Sequence, residues 1–236
     1  MMMLLKKIPT KGLNMKRTAF TMLELVMVIV VLGILAALAM PRLDRDLRQE
    51  AADSILSNIR YTQHLALTDN KHLFNNANWQ QRYWRIVFST CTGNDRYFMV
   101  GTDDNMESSS NAFFDQNEAA IDPRSGKPLF WTNGQSCASG VDTSAVSEEV
   151  FISKKYGITN VRSFGSCANT ANSMGHIGFD NLGRPHYGFS NSNQPNYASI
   201  ITTRCTFTFT LSDGDAFAIH VEPETGYAFI DGQTGS

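Results

Sequence analysis

A long apolar segment near the start of the chain contains a single charged residue. It reads AFTMLELVMVIVVLGILAALAMPRL from Ala19, and Glu24 is the only charged residue between Phe20 and Met40. A helix over those residues spans roughly 30 Å, the thickness of a bilayer core. An ionised carboxylate inside such a helix costs roughly 2.5–3.5 kcal/mol. The pattern predicts a membrane-spanning helix over 20–40 in which Glu24 has a partner and a function.

The charges are divided unevenly around this segment. The whole chain carries a formal charge of −2, and a chain that began at Phe20 would carry −7, because five cations precede it: Lys6, Lys7, Lys11, Lys16 and Arg17. Cations beside an apolar run mark the cytoplasmic side of a membrane, so the remainder of the chain is predicted to be exported. The acidic balance argues against nucleic acid as a partner, but a local basic patch around Arg82, Arg85 and Arg96 leaves it open.

A positive charge at the same depth would be the natural partner for Glu24. Cleavage between Ala19 and Phe20 would create an amino group four residues before this carboxylate. The two groups could pair within one chain or between neighbouring packed helices. The second arrangement would make the carboxylate an assembly residue.

The residues around this bond resemble a known processing signal. The sequence KRTA ending at Ala19, followed by FTMLEL and an apolar run, resembles the class III signal of type IV pilins and type II secretion pseudopilins. The resemblance implies that a prepilin peptidase removes the basic leader 1–19 and that the amine of Phe20 is methylated. It also implies that Glu24 pairs with the Phe20 amine of an adjacent subunit. Ala19 departs from the usual Gly of the family, and a start at Met15 would leave the short leader MKRTA.

The resemblance also implies a location and partners. The chain is expected in the bacterial inner membrane, crossing it once with a periplasmic head, and then in a filament. The expected partners are the prepilin peptidase, other pilin or pseudopilin subunits and an inner-membrane assembly platform. The expected role is structural, without a cofactor and without enzymatic activity. Type II secretion pseudopilus, type IV pilus and competence pilus all remain open.

An ordinary signal peptide is the alternative. Ala37-Leu38-Ala39 has the small-x-small pattern of signal peptidase sites, and cleavage after Ala39 would release a secreted, disulfide-bonded binding protein. However, the apolar run is longer than the usual seven to fifteen residues. Secretion alone also gives no reason for Glu24.

The pattern after the apolar segment predicts the rest of the stalk. Pro41 is expected to bend or locally melt a helix, and pilins often carry a proline here. Apolar residues then recur four apart to about Thr68, as in an amphipathic helix: Leu43, Leu47, Ala51, Ile55 and Ile59. We therefore expect an N-terminal helix over 20–70, a connector over 71–81 and a β-rich head over 82–236.

Short apolar runs separated by turns predict an antiparallel head, so the expected fold is α+β, with the long helix packed on the sheet. A polar loop is expected over 103–147. The GFDNLGRP turn before Pro185 and the closing FAIHVEPETGY segment resemble FimT/GspH-type minor pseudopilins. The predicted strands are Tyr83–Ser89, Arg96–Gly101, Val150–Ile152, Ile158–Val161, Gly175–Phe179, Pro185–Phe189, Cys205–Leu211, Ala216–Val221 and Tyr227–Ile230.

Four cysteines lie in the head, and an even number in an exported domain predicts two disulfides. Three pairings are open, together with the alternative of buried free thiols. Pairing of neighbours in the sequence is favoured, which would join Cys91 to Cys137 and Cys167 to Cys205.

Three further groups of residues could form sites, although each has an ordinary structural explanation. His176 and His186 could provide half of a metal site, but surface histidines are the simpler interpretation. Asp213-Gly214-Asp215 could bind calcium or simply form a hairpin turn. Three tryptophans could form a binding face or pack in the core: Trp79, Trp84 and Trp131. No catalytic motif is recognisable in the sequence.

Overall fold

The computed structural model describes residues 21–106, 112–141, 144–167, 175–190 and 193–233, and over 37–46 it describes the backbone alone. The chain divides into two compact units, Met1–Asp44 and Arg45–Ser236. Helix α1, Met22–Thr68, begins in the first unit and ends in the second. Its end at Thr68 agrees with the end of the predicted apolar pattern.

The part of α1 in the second unit buries one face. Ala51, Ile55 and Ile59 are fully buried, and the four-residue spacing places them on a single stripe of the helix. These side chains belong to the same buried cluster as the apolar residues of the strands. This half of the helix is therefore an integral part of the head.

Among the described residues, the second unit contains two four-stranded antiparallel sheets and, besides its part of α1, two short α-helices. The strand order is β2-β1-β4-β5 in the first sheet and β3-β6-β7-β8 in the second. The α+β class with antiparallel sheets is confirmed. The elements are β1 (Trp84–Thr90), β2 (Arg96–Gly101), α2 (Cys137–Val141), α3 (Ile152–Tyr156), β3 (Ile158–Phe164), β4 (His176–Phe179), β5 (Pro185–His186), β6 (Cys205–Leu211), β7 (Ala216–Val221) and β8 (Ala228–Ile230).

Aromatic side chains connect the two sheets. Along β6 the sequence CTFTFTL alternates buried and half-buried residues, as expected for a strand with one face in the core. The ring of Phe88 in β1 lies 5.2 Å from that of Phe207 and 5.3 Å from that of Phe209, measured between centroids. The core therefore lies between facing residues of β1 and β6.

Two disulfides fasten the loops to this core. Cys91 after β1 is bonded to Cys137 at the start of α2, and Cys167 is bonded to Cys205 at the start of β6. The predicted pairing of neighbours is confirmed, and the alternative of free thiols is wrong.

Several predicted boundaries were incorrect. Val150–Ile152 is not a strand, because Val150 ends a 3₁₀ turn and Ile152 begins α3. The buried side chains of this short run fit a helix as well as a strand. The described part of the 103–147 region does lack regular strands, but it is not a polar surface loop, because Leu129 and Trp131 are buried in the core.

Removal of either disulfide should destabilise the head considerably. The two bonds close loops with sequence separations of 46 and 38 residues, for which the loop-closure model predicts about 4 kcal/mol each. We expect the Cys91→Ala/Cys137→Ala and Cys167→Ala/Cys205→Ala variants each to lose about 2–4 kcal/mol in urea unfolding of the full chain. A loss below about 1 kcal/mol for either pair would contradict this expectation.

Candidate functional site

The predicted processing residues lie outside the described part of the chain. These are the leader 1–19, with Ala19 at the predicted cut, and Phe20, the predicted methylation site. Their roles stay predictions. The described structure begins with Thr21, one residue beyond the predicted new terminus.

Glu24 lies in the first turn of α1. The backbone N–H of Glu24 donates to the Thr21 hydroxyl oxygen at 3.2 Å, and that of Leu25 donates to the Thr21 carbonyl at 3.2 Å. Thr21 thus caps the helix, and a carboxylate three residues later interacts favourably with the helix dipole. The Glu24 side chain itself is exposed, so it can reach a partner outside this chain.

The apolar side chains that follow Glu24 are exposed on every side of the helix. All described side chains over 21–36, which we call the assembly segment, are exposed. The exposed fraction ranges from 87% for Met22 to 48% for Val28 among its large hydrophobic residues. A helix that is apolar all round is stable only when its surroundings are apolar too. Within the described residues, nothing covers the apolar side chains of this segment.

The structure describes only part of the predicted membrane-spanning segment 20–40, because the described side chains are those of 21–36. Within the described residues, no helix combines the length and the apolar character that crossing a membrane requires. The backbone of α1 stays helical through Pro41, whose side chain is not described. The bend predicted at Pro41 stays a prediction.

Gln63 holds two loops of the head against α1. Its side-chain amide donates to the carbonyl of Gly183 at 2.8 Å and to the carbonyl of Thr225 at 2.9 Å. Gly183 and Gly226 have φ angles of 77° and 66°, which favour glycine. We call this contact the Gln63 junction. It brings together the turn of the GFDNLGRP segment and the turn of the closing FAIHVEPETGY segment.

Asp180 organises the turn that carries Gly183. Its Oδ1 accepts from the backbone N–H groups of Leu182 and Arg184, both at 2.9 Å, and its Oδ2 accepts from Arg184 Nε at 2.7 Å. Burial raises the pKa of Asp180, but hydrogen bonds from His186 and Arg184 outweigh this effect and lower the pKa to about 2. Asp180 is therefore ionised at neutral pH and fixes the turn.

The histidines do not form half of a metal site. Gly178, rather than His176, pairs with His186 across the hairpin. His186 is 2% exposed, with its ring nitrogens 2.8 Å from Ser199 Oγ and 3.3 Å from Asp180 Oδ2. The metal interpretation was wrong, and so was the surface interpretation of His186, because this ring supports the turn from inside.

The three arginines that left a basic patch open, Arg82, Arg85 and Arg96, do not form an exposed patch. Arg82 is paired with Asp104 at 3.0 Å, and Arg96 donates to the Thr159 carbonyl at 3.1 Å. Arg85 is fully buried and donates to the backbone carbonyls of Tyr83, just before β1, and of Ala112 in the long loop region. Burial lowers the pKa of Arg85 to about 10, so it remains charged at neutral pH. Arg85 is not available to a nucleic acid.

The calcium interpretation of Asp213-Gly214-Asp215 is not needed. The Leu211 N–H donates to the Asp215 carbonyl at 2.8 Å, and the Asp215 N–H donates to Asp213 Oδ1 at 2.8 Å. These bonds close the β6–β7 hairpin, so the prediction of a turn is confirmed. In the ranges that the structure describes, no group of three or more His, Cys, Asp or Glu could hold a metal ion.

The tryptophans do not share one exposed face. Trp79 is half-buried against Tyr83, with 5.4 Å between ring centroids, and Trp84 donates to Asp69 Oδ2 at 3.1 Å. Trp131 is buried in the core, as the packing interpretation predicted. The sequence offered no signal for what surrounds Trp131, because its ring packs against Phe151, which lies twenty residues later, just before α3.

Comparison of the chain with protein-family models, curated proteins and solved structures finds no match.

A methyl group at Gly226 should disrupt the Gln63 junction. A Cβ there would overlap the Gly183 carbonyl and crowd the Gln63 amide, whereas Gly214 has a similar positive φ and open space around it. We expect Gly226→Ala to lower the free energy of unfolding by about 3 kcal/mol and Gly214→Ala by about 1 kcal/mol. Urea unfolding of both variants measures the difference. Equal losses of unfolding free energy in the two variants would show that Gly226→Ala costs only backbone strain. The contacts of the Gln63 junction would then add nothing to the loss.

The stabilisation from Asp180 should disappear in acid. Its folded pKa of about 2 lies below the ordinary 3.8, so its contribution is present above about pH 4 and is lost as the pH falls through 2. We expect Asp180→Asn to cost about 2 kcal/mol at pH 7 and almost nothing at pH 2. Unfolding curves of both proteins across this range test the prediction, and a difference independent of pH would contradict it.

Proposed function

We propose that this chain is a structural subunit of a pilin-type filament, either a type II secretion pseudopilus or a type IV pilus. In this proposal 20–40 anchors the precursor in the inner membrane, and the prepilin peptidase cuts before Phe20. The helix then joins the apolar core of a filament. One observation carries the proposal: the assembly segment exposes apolar side chains on every side and contains the carboxylate of Glu24.

The energetics favour transfer of the assembly segment into lipid or a helix bundle. Twelve large apolar residues between Met22 and Leu35 are about half exposed or more. Full burial of such a side chain contributes about 1.5–3 kcal/mol, so burial of the exposed part of twelve contributes roughly 10–20 kcal/mol. This exceeds the 2.5–3.5 kcal/mol that one carboxylate costs. The helix can therefore be buried despite Glu24, but an unsatisfied carboxylate remains.

A neighbouring amine would remove that remaining cost. At about 4 Å, opposite unit charges attract by about 4 kcal/mol at an effective dielectric constant of 20. The amine of a processed Phe20 supplies such a charge about one helical turn before Glu24, so a neighbouring subunit shifted along the axis by about one turn brings the two groups to the same depth. If the amine belongs to another subunit, the pair fixes the axial register, because a slip of one helical turn moves the charges apart by about 5.4 Å.

The head fits a subunit that works outside the cytoplasm. Both disulfides suit an oxidising compartment. The buried stripe of α1 and the Gln63 junction attach the helix to the head through packing and hydrogen bonds. A force on the helix would therefore reach folded structure directly, as a filament subunit requires.

Removal of the Glu24 carboxylate should separate insertion from assembly. We expect Glu24→Leu to enter the membrane as well as the wild type, since the buried charge is gone, and its incorporation into filaments to fall at least tenfold, equivalent to about 1.4 kcal/mol. Glu24→Asp, which keeps the charge, should retain part of the incorporation. The measurement is the ratio of the chain in sheared filaments to that in membranes.

Glu50→Gln is the matched control, because Glu50 is an exposed carboxylate on the same helix within the second unit. It should assemble like the wild type. Normal incorporation of Glu24→Leu would refute the charge-pairing account, and equal defects in Glu24→Leu and Glu50→Gln would show that the effect is not specific to Glu24.

A further inference from the structure

The second sheet has an outer face opposite the core. Along β6, Phe207 and Phe209 are buried and pack against Phe88 of the first sheet. The alternate residues Thr206 and Thr208 therefore lie on the other side, where they are half-buried. We call that side the outer face. The strand pairing places the following side chains there as well: Arg162 and Phe164 of β3, Thr210 of β6, Ala216, Ala218 and His220 of β7, and Phe229 of β8.

One row of this face has opposite charges at its two ends. Thr208 of β6 lies opposite Arg162 on one side and opposite Ala218 on the other. The row continues to Asp231, whose N–H donates to the Ala218 carbonyl at 2.9 Å. Arg162 and Asp231 are both exposed, and three strand spacings of about 4.8 Å each separate them. They are too far apart to pair within one chain.

A second pair of charges repeats this order. Arg204, just before β6, lies 2.5 Å from Glu222, just after β7, measured between Nη2 and Oε1. The Arg204 guanidinium also lies over the ring of Phe229, 5.5 Å from its centroid, which places the pair on the outer face. The half of the face formed by β3 and β6 therefore carries two arginines, and the half formed by β7 and β8 carries two carboxylates.

The two ends of the row retain capacity for further ion pairing. No ion pair between described residues includes Arg162. Asp231 Oδ1 lies 3.3 Å from His220 Nε2, but the side chain of Asp231 is 70% exposed. The other ring nitrogen of His220 lies 2.9 Å from Thr206 Oγ1. Both charged ends can therefore pair with a group from outside the chain.

A second copy of the chain supplies the matching order of charges. Consider a half-turn about an axis in the outer face, parallel to the strands and midway between β6 and β7. It places β3 of each copy over β8 of the other copy. Arg162 of each copy then faces Asp231 of the other copy, as a self-complementary two-fold contact requires. The Arg204–Glu222 pairs of the two copies meet in the same way.

The middle of the face lets two sheets approach closely. Thr208 and Ala218, which lie nearest to this axis, are small. Two outer faces can therefore stack about 10 Å apart with nearly aligned strands, as packed sheets ordinarily do. At this spacing a long arginine side chain can reach a carboxylate on the facing sheet.

The direction of the axis suits chains that are anchored in one membrane. The last strand, β8, and the second-unit part of α1 run side by side. At one end Gln233 donates to Gln49 at 2.8 Å, and at the other Gln63 donates to the Thr225 carbonyl at 2.9 Å. An axis along the strands therefore leaves the second-unit parts of α1 in the two copies pointing in the same direction.

We propose that the outer face binds a second copy of this chain in a two-fold symmetric dimer of heads, held by the Arg162–Asp231 contacts. The dimer does not depend on Glu24 or on a role in a filament. Four strands and the seven residues of β6 cover roughly 450 Å² per copy, or about 900 Å² in total. Stable interfaces bury about 1,200 Å² or more, so this dimer is weak, with a dissociation constant of about 10–100 µM.

The test measures self-association of the full-length chain by sedimentation equilibrium in a density-matched zwitterionic detergent. Arg162→Glu places two carboxylates opposite each other in both contacts, and Asp231→Arg places two arginines there. Each variant alone should therefore dimerise at least tenfold more weakly than the wild type. Both side chains are exposed, so both variants should fold. Association through the assembly segment would be the same in every variant.

An equal mixture of these two variants is the decisive sample. In a mixed dimer the introduced glutamate faces the introduced arginine. The native Asp231 of the first variant also faces the native Arg162 of the second. Both contacts are again attractive, so the mixture should recover a dissociation constant within about threefold of the wild type.

Two control variants make the same changes of net charge away from the outer face. Lys127→Glu lies in the long loop region, and Glu148→Arg lies in the turn before α3. Both should dimerise like the wild type.

The proposal is overturned if the wild type stays monomeric up to about ten times the expected dissociation constant, or if Arg162→Glu and Asp231→Arg associate as strongly as it does. It is also overturned if each variant is weakened but their mixture does not recover, since the face would then bind a partner other than a symmetric second copy. Equal losses in the two control variants would refute it as well, because the effect would then come from net charge alone.

Discussion

The apolar surface of α1 constrains everything else in this protein. In its second part the helix buries Ala51, Ile55 and Ile59 in the core of the head, as an amphipathic helix does. In its first part the described side chains are exposed on all sides although almost all are apolar. The two parts of this helix therefore need different apolar surroundings. The head provides those of the second part, and under the proposed function other subunits or lipid would provide those of the first.

The head is built to hold its half of this helix firmly. The Gln63 amide binds two carbonyls from loops that are 42 residues apart in the sequence, Gly183 and Thr225. Asp180 and the buried His186 fix the first of these loops from inside. The disulfides add covalent restraints at the ends of β1 and β3. The bonds of Gln63 connect the helix to the turns of both sheets, in addition to apolar packing.

Sequence patterns predicted the parts of the fold that are set by residues close together in the chain. The alternation in Cys205–Leu211 and the Asp213–Asp215 turn followed from periodicity and turn chemistry. The sequence left three disulfide pairings open, and the favoured one is the one observed. Val150–Ile152 was wrong because three buried apolar residues fit a helix or a strand equally well. The burial of His186 and the burial of Arg85 could not be foreseen. Each depends on contacts between residues that are distant in the sequence, which no local pattern encodes.

The most direct measurement of the central claim is the identity of the first residue of the mature protein, by mass spectrometry of the membrane and filament fractions. The account predicts a chain that begins with N-methylated Phe20, which places a positive charge beside Glu24. A soluble chain that begins at Met40 would contradict it. Cleavage after Ala39 would remove the assembly segment, and the protein would then be a secreted, disulfide-bonded binding protein.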